Sequence, residues 1–288
     1  MVVTVDDLPV GPPNRHTLDQ QRWITDRLVA SLVERSVPAV GFVNQSKVEV
    51  GGQVDPARVA LAERWLEAGL ELGNHGHSHL DLHRVGVDAW FDDVDRGEAV
   101  LRPMMAARGL RLRYFRYPFL HTGRSVSEQR RTARGLVDRG YTVAPVTIDN
   151  GEWIYGDVYA DAFNRGDEAM MDRLAPSYID YMLDVVEFYE GQAGEIVGRP
   201  IPHVLLVHAY ALNAAHLGAL LDRLASDGWR WVTLEEALED PVYRRPTDGY
   251  TGPGGITWLH RWAITAGVDP QVFSGEPEVP AWVRDLRR

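Results

Sequence analysis

Short apolar runs alternate with longer amphipathic stretches along the chain. Period-two runs rich in Val, Ile, Leu and Tyr predict strands over Met1–Val5, Pro38–Asn44, Leu70–His75, Leu112–Tyr117, Tyr141–Ile148, His203–Val207 and Trp229–Leu234. Helical spacing predicts helices over Leu18–Arg35, Asp55–Ala68, Val87–Arg108, Ser125–Arg139, Asp167–Tyr189 and Ala214–Ser226. Asp55 is placed to cap its helix, with Pro56 in the first turn. Strand–helix alternation repeated this often implies parallel strands joined by helical crossovers. At 288 residues the first expectation is α/β, a distorted (β/α)7-type barrel in a single domain; an open doubly wound sheet is second. The barrel is expected over 1–240, with 241–288 a C-terminal extension packed on it. Asn150–Arg165 reads as an aromatic-rich insertion carrying Trp153, Tyr155, Tyr159 and Phe163.

Composition narrows the chemistry. The chain has no cysteine, which excludes disulfide scaffolds, thiolate metal sites and a Cys nucleophile. Any metal must therefore rest on His, Asp or Glu. The formal charge of −11 argues against nucleic acid as a partner, since neutralising phosphates needs a basic face. Lys47 is the only lysine. No run approaches the roughly 20 apolar residues of a membrane-spanning helix. Met1 leads directly into a strand, with no signal-like segment. A cytoplasmic location is the default expectation, and a periplasmic or secreted one follows if an exported precursor has lost its front end.

In a β/α barrel, function gathers on the loops after the C-terminal strand ends. Those positions carry Asp6 and Asp7, then His75, His77 and His79, then Arg116, Asp149 with Trp153, and His208. Adjacent carboxylates at a strand end point to different sides, so one can face a metal and the other a water. His75 and His79 are four apart, and one helical turn would bring both rings to one ion. His79 and His83 share that spacing and compete with them. Two His and Asp7 would make an N/N/O site with open positions, the pattern of a catalytic metal. Arg116, if buried, needs an anion, and Asp6 is a candidate. His208 on the rim would be a general acid if a partner orients its second nitrogen. No phosphate loop, His-Glu-x-x-His or Gly-x-Ser-x-Gly is present. Gly252-Pro253-Gly254-Gly255 reads as a turn, and Trp258–Trp262 as packing or a substrate wall.

Taken in order, Thr4-Val5-Asp6-Asp7, Gly73-Asn74-His75 with His79, Arg116-Tyr117-Pro118-Phe119, Asp149 with Trp153, and Leu206-Val207-His208 resemble the motifs of the polysaccharide deacetylase family. This is the NodB-homology group, carbohydrate esterase family 4. The resemblance runs over about residues 1–235 and implies metal-dependent removal of acetyl groups from N-acetylated sugars or polysaccharides. It implies Asp6 as general base, and Asp7, His75 and His79 as ligands of a divalent ion, zinc first, with Co2+, Mn2+ or Ni2+ as alternatives. It further implies Arg116 bracing the base, His208 as general acid tuned by Asp149, and Trp153 and Leu206 walling the acetyl pocket. Gly76 stands where the family usually has Ser or Thr, and Phe119 where Tyr is common. Alternatives are an O-acetyl esterase, another small-amide hydrolase, or an inactive carbohydrate-binding barrel. Because Pro118 has no N–H, the Phe119 amide is the nearest donor for the oxyanion. Arg116 to Asp6 and Asp149 to His208 are expected within hydrogen-bonding reach, while His77 and His83 are expected not to bind the ion.

Overall fold

The computed structural model describes residues 1–287. Strands β1 (Val2–Leu8), β2 (Val40–Val43), β3 (Glu49–Val50), β4 (Gln53–Val54), β5 (Glu71–Asn74), β6 (Tyr114–Phe115), β7 (Thr142–Val143) and β8 (Val204–His208) follow in chain order. Six of them form one parallel sheet in the order β7-β6-β5-β2-β1-β8, and β3 with β4 makes a small antiparallel hairpin. The sheet curls, and the chain leaving β7 draws its edges together. Ala144 N–H still donates to Phe115 O beside β6, while Ile148 bridges Leu205 on β8. The fold is thus a curled, incomplete barrel in a single domain, with helices outside.

Side chains alternate across the strands, which is what places the site. Val2, Val40, Phe42, Tyr114 and Val204 form an inner cluster with Leu234 and Ala237. Val3 and Val5 face outward into the larger core shared with the helices. Full burial of Phe42 contributes roughly 1.5–3 kcal/mol. Continuing inward positions up β1 gives Val2, Thr4, Asp6, and up β8 gives Val204, Leu206, His208. The interior column that starts apolar at the strand beginnings ends polar at the C-terminal rim.

Several elements depart from expectation. No strand forms over Trp229–Leu234. The segment borders the start of β1 through two hydrogen bonds, Val232 N–H to Met1 O and the Met1 ammonium to Arg230 O, and a helix then starts at Leu234 under a Thr233–Glu236 capping box. That helix fills the barrel beginning, where the inner cluster offers apolar surface. The sheet therefore has six strands rather than seven. The stretch Val87–Arg108 is two helices, Val87–Arg96 and Leu101–Ala106. Gly97 sits between them, because a Cβ there would lie 2.5 Å from Asn74 Oδ1 and 2.6 Å from the Gly76 carbonyl carbon. Asn150–Arg165 is mostly a helix, Glu152–Arg165, and the following helix runs from Glu168 to Val197. Among the described residues no helix is long and apolar enough to cross a membrane.

Candidate active site

Asp6, Asp7, His75, His79, Phe119, Asp149, Trp153, Leu206 and His208 line one cavity of about 710 Å³ at the C-terminal strand ends. Arg116 lies beneath it, fully buried. A larger hollow of about 940 Å³ lies on the outer face between Asp88 and Arg139, lined mainly by Asp and Arg side chains with no convergent acid, base or ligand set.

Asp6 and His208 are register partners on neighbouring parallel strands, so both stand on the same face. Burial raises the Asp6 carboxyl to about 6, against the pull of Arg116 and His208. Its Oδ1 is buried with no hydrogen-bond partner. Arg116 donates from Nη2 to Thr4 Oγ1 at 2.9 Å and stacks over Phe42 at 4.8 Å. Its Nη1 is 3.8 Å from Asp6 Oδ2. That is an ion pair, longer than the expected hydrogen bond, and Thr4 takes the better-aligned donor.

Asp7 and His79 both adopt left-handed backbone, with φ of 72° and 55°. His75 and His79 are brought together by a loop, not by the expected helical turn, and their ring centroids are 4.8 Å apart. Gly76 turns that loop at φ 77°. A Cβ there would sit 2.7 Å from Asp93 Oδ2, the carboxylate that accepts the His77 and Ser78 N–H groups. This is the physical reason for glycine where Ser or Thr is common. His77 is tied to Glu49 Oε1 at 3.0 Å and Ser78 Oγ at 2.8 Å, away from the trio.

The trio fits a catalytic divalent ion. Ligand atoms of Asp7, His75 and His79 all lie within 4.8 Å of one another. His75 Nδ1 donates to Arg116 O at 2.8 Å, which leaves Nε2 with its lone pair free. Burial holds both imidazoles below their ordinary range, and so neutral. Burial would raise the Asp7 carboxyl, but the Lys47 ammonium, with His79 and His208, holds it well below the usual carboxylate range. Lys47 Nζ is 2.9 Å from Asp7 Oδ1 and 3.0 Å from its carbonyl. The only lysine in the chain therefore braces this candidate ligand, a role its lone occurrence alone did not reveal.

A second cluster, Asp81, His83 and His121, has the right residue types but a different state. His83 Nδ1 donates to Pro253 O and its Nε2 accepts from Gly123 N–H, both at 3.2 Å. Its ring stacks on His121 at 3.9 Å, and His121 Nδ1 is 2.7 Å from Asp81 Oδ1. With both His83 nitrogens occupied, this group is a hydrogen-bonded clasp.

The partner of His208 is a correction. The expected carboxylate was Asp149; the structure places Glu152 there instead. Glu152 is fully buried, with Oε2 2.8 Å from His208 Nδ1 and Oε1 accepting the His208 N–H at 3.1 Å. Asn213 also donates to Oε1, and Tyr178 holds Asn213. Burial would lower the His208 imidazole, but Glu152, then Asp7 and Asp6, raise it to about 9. Asp149 instead accepts the Asn150 N–H at 2.9 Å. Burial raises its carboxyl to about 6, and Glu276 pushes the same way. One turn of helix decides this: starting the helix at Glu152 swings that side chain inward. A buried Glu three residues after Asp149, at a helix start, was the overlooked signal.

Phe119 is half exposed, packs its ring against His79 at 4.4 Å and has φ 56°. The next two amides donate to Tyr117 O and Pro118 O, while the Phe119 N–H has no partner among the described residues. Trp153 carries the Arg287 guanidinium over its ring at 4.2 Å.

Residues 1–143 match the family model described as Polysaccharide deacetylase. No curated protein matches the chain. A solved mutant, with restored enzymatic activity, of a carbohydrate esterase family 4 pseudoenzyme from Bacillus anthracis is similar at TM-score 0.55 and 16% identity, over 82% of this chain and 66% of that one. The chain thus spans just under two thirds of that protein. Peptidoglycan deacetylase PdaC from Bacillus subtilis is similar at TM-score 0.52 and 20% identity, over 84% of this chain and 93% of that one. A family 4 carbohydrate esterase from Streptomyces lividans, solved with acetate, gives TM-score 0.52 and 16% identity, over 82% and 94%. At these identities the structural likeness shows the fold alone. The stretch that supplies Asp6, Asp7, His75, His79 and Arg116, residues 1–143, is the stretch that matches the polysaccharide deacetylase family model.

Proposed function

We propose that this protein hydrolyses the N-acetyl group of an acetylated amino sugar, with a divalent ion, zinc first, held by Asp7, His75 and His79. The observation that carries this reading is the pairing of Asp6 and His208, side by side in register and next to that ligand set. Ion binding there would polarise the acetyl carbonyl and lower the pKa of a nearby water. Asp6, with an unpartnered oxygen, takes the proton from the attacking water. Arg116, 3.8 Å away, favours its ionised form. His208, held protonated by Glu152, gives a proton to the departing amine. The unpartnered Phe119 N–H offers a donor for the oxygen that gains charge. Leu206 and Trp153 wall the acetyl group, and Asp149 lines the cavity beside them.

The protonated His208 favours an amide over an ester, because an amine leaves only once protonated whereas an alkoxide needs less help. The test is acetate release from a panel of N-acetylated and O-acetylated saccharides, with and without chelator. Release from N-acetyl substrates that chelator abolishes supports the reading. Release from esters alone supports the O-acetyl esterase, and binding without release an inactive barrel.

A further inference from the structure

We propose that Gly255 and Arg261, in the C-terminal segment beyond the barrel, are positioning residues that hold the Phe119–Leu120 turn so that the free Phe119 N–H serves the reacting carbonyl. The proposal rests on the deacetylase reading above.

Phe119 and Leu120 are consecutive non-glycine residues in left-handed backbone, with φ of 56° and 54°. Such a pair persists only where its surroundings over-determine it. Two contacts do so. Gly255 lies so close that a Cβ would stand 1.9 Å from Phe119 O and 3.0 Å from Leu120 Cβ. Only glycine lets the backbones meet this way. Arg261 reaches the same turn from the helix Trp258–Thr265. Its Nη2 donates to Leu120 O at 2.8 Å, its Nη1 to Thr122 Oγ1 at 2.9 Å and its Nε to Ile256 O at 3.3 Å.

Arg261 is 1% exposed, and no carboxylate pairs with it among the described residues. A buried cation without an anion is costly, so such a residue is expected where its donors have a task. Here three guanidinium nitrogens are spent on holding the turn and its own segment, and the rings of Trp258 and Tyr250 lie 5.3 and 5.4 Å away. The result is a turn whose two carbonyls are fixed from behind while the Phe119 amide stays unpaired on a residue that lines the cavity.

The test compares Gly255→Ala, Arg261→Lys and Arg261→Ala with Gly254→Ala, whose added Cβ would meet only Tyr250 Oη at 4.0 Å. Gly255→Ala and Arg261→Ala are expected to lower kcat by ~10²-fold, the scale of one lost oxyanion donor. KM should change by no more than about threefold, since the contact strengthens only in the transition state. Bound metal should be unchanged, Arg261→Lys should recover part of kcat, and Gly254→Ala should match the parent. A crystal structure of Gly255→Ala should show Phe119 leaving its left-handed conformation. Normal kcat in Gly255→Ala overturns the proposal, and so does a Phe119 turn that keeps φ near 56° there. If Arg261→Ala does not fold, Gly255→Ala decides alone. If the parent releases no acetate from any substrate, the deacetylase reading fails, and the Gly255→Ala crystal structure still tests whether this segment sets the turn.

Discussion

At the residue scale the two proposed proton carriers, Asp6 and His208, are set by their neighbours. His208 keeps its proton through neutral pH because Glu152, Asp7 and Asp6 raise it to about 9 against the effect of burial. In the proposed mechanism it is an acid below that value and fails as pH rises through it, which gives kcat an alkaline limb. Glu152→Gln removes the charge while keeping the shape, so the limb in kcat should move down by about one unit or more. Asp149→Asn should move it less, because Asp149 makes no hydrogen bond to His208; a larger shift in Asp149→Asn would reverse the assignment. Asp6→Asn should cost roughly 10²–10⁴ in turnover, the range of a lost general base. Elemental analysis should find its metal content unchanged, since Asp7 and not Asp6 is in the ligand trio.

At the element scale the loop after β5 carries the two imidazoles of the proposed ligand set. Its shape depends on Gly76 at φ 77° and on Asp93 capping the His77 and Ser78 amides. Gly76→Ser puts a Cβ against Asp93 Oδ2 in a left-handed residue, at a cost of roughly 1–2 kcal/mol for the backbone alone. The variant should melt lower and bind the ion more weakly in calorimetric titration. Metal affinity equal to the parent would show that His75 and His79 are held by something other than this turn.

At the scale of the whole molecule, two features close the structure. One is the segment from β7 to Ile148, which joins the open sheet edges. Thr147 Oγ1 accepts the Val204 N–H at 2.8 Å, fully buried. Thr147→Val leaves that amide unpaired and should cost about 1–3 kcal/mol in denaturant unfolding. The other is the proposed ligand trio, which joins the loop after β5 to the end of β1. A divalent ion at about 100 times its Kd should stabilise the folded chain by about 2.7 kcal/mol, seen as a rise in Tm. His79→Ala should remove that rise and His83→Ala keep it, because both His83 nitrogens are already occupied.

Periodicity by itself determined the alternation of strands and helices, because burying one face of each element imposes period two or 3.6 whatever the tertiary detail. Spacing and residue type likewise marked Asp6, Asp7, His75, His79, Arg116 and His208, since few side chains can bind an ion or carry a proton and these stood at successive strand ends. Strand lengths were less legible: β6 and β7 are two residues each, because the curled sheet pairs its edge strands only briefly. The apolar stretch Trp229–Leu234 met the sheet only at Met1, beside the start of β1, and the Thr233 cap ended it in a helix that begins at Leu234. Glu152 replaced Asp149 beside His208 because the start of one helix, not the distance along the chain, sets which carboxylate faces inward. The brace of Lys47 on Asp7 and the contacts of Gly255 and Arg261 with the Phe119–Leu120 turn join positions 40 and more than 130 residues apart. Contacts of that kind leave no periodic trace, and only the packed barrel brings their partners together.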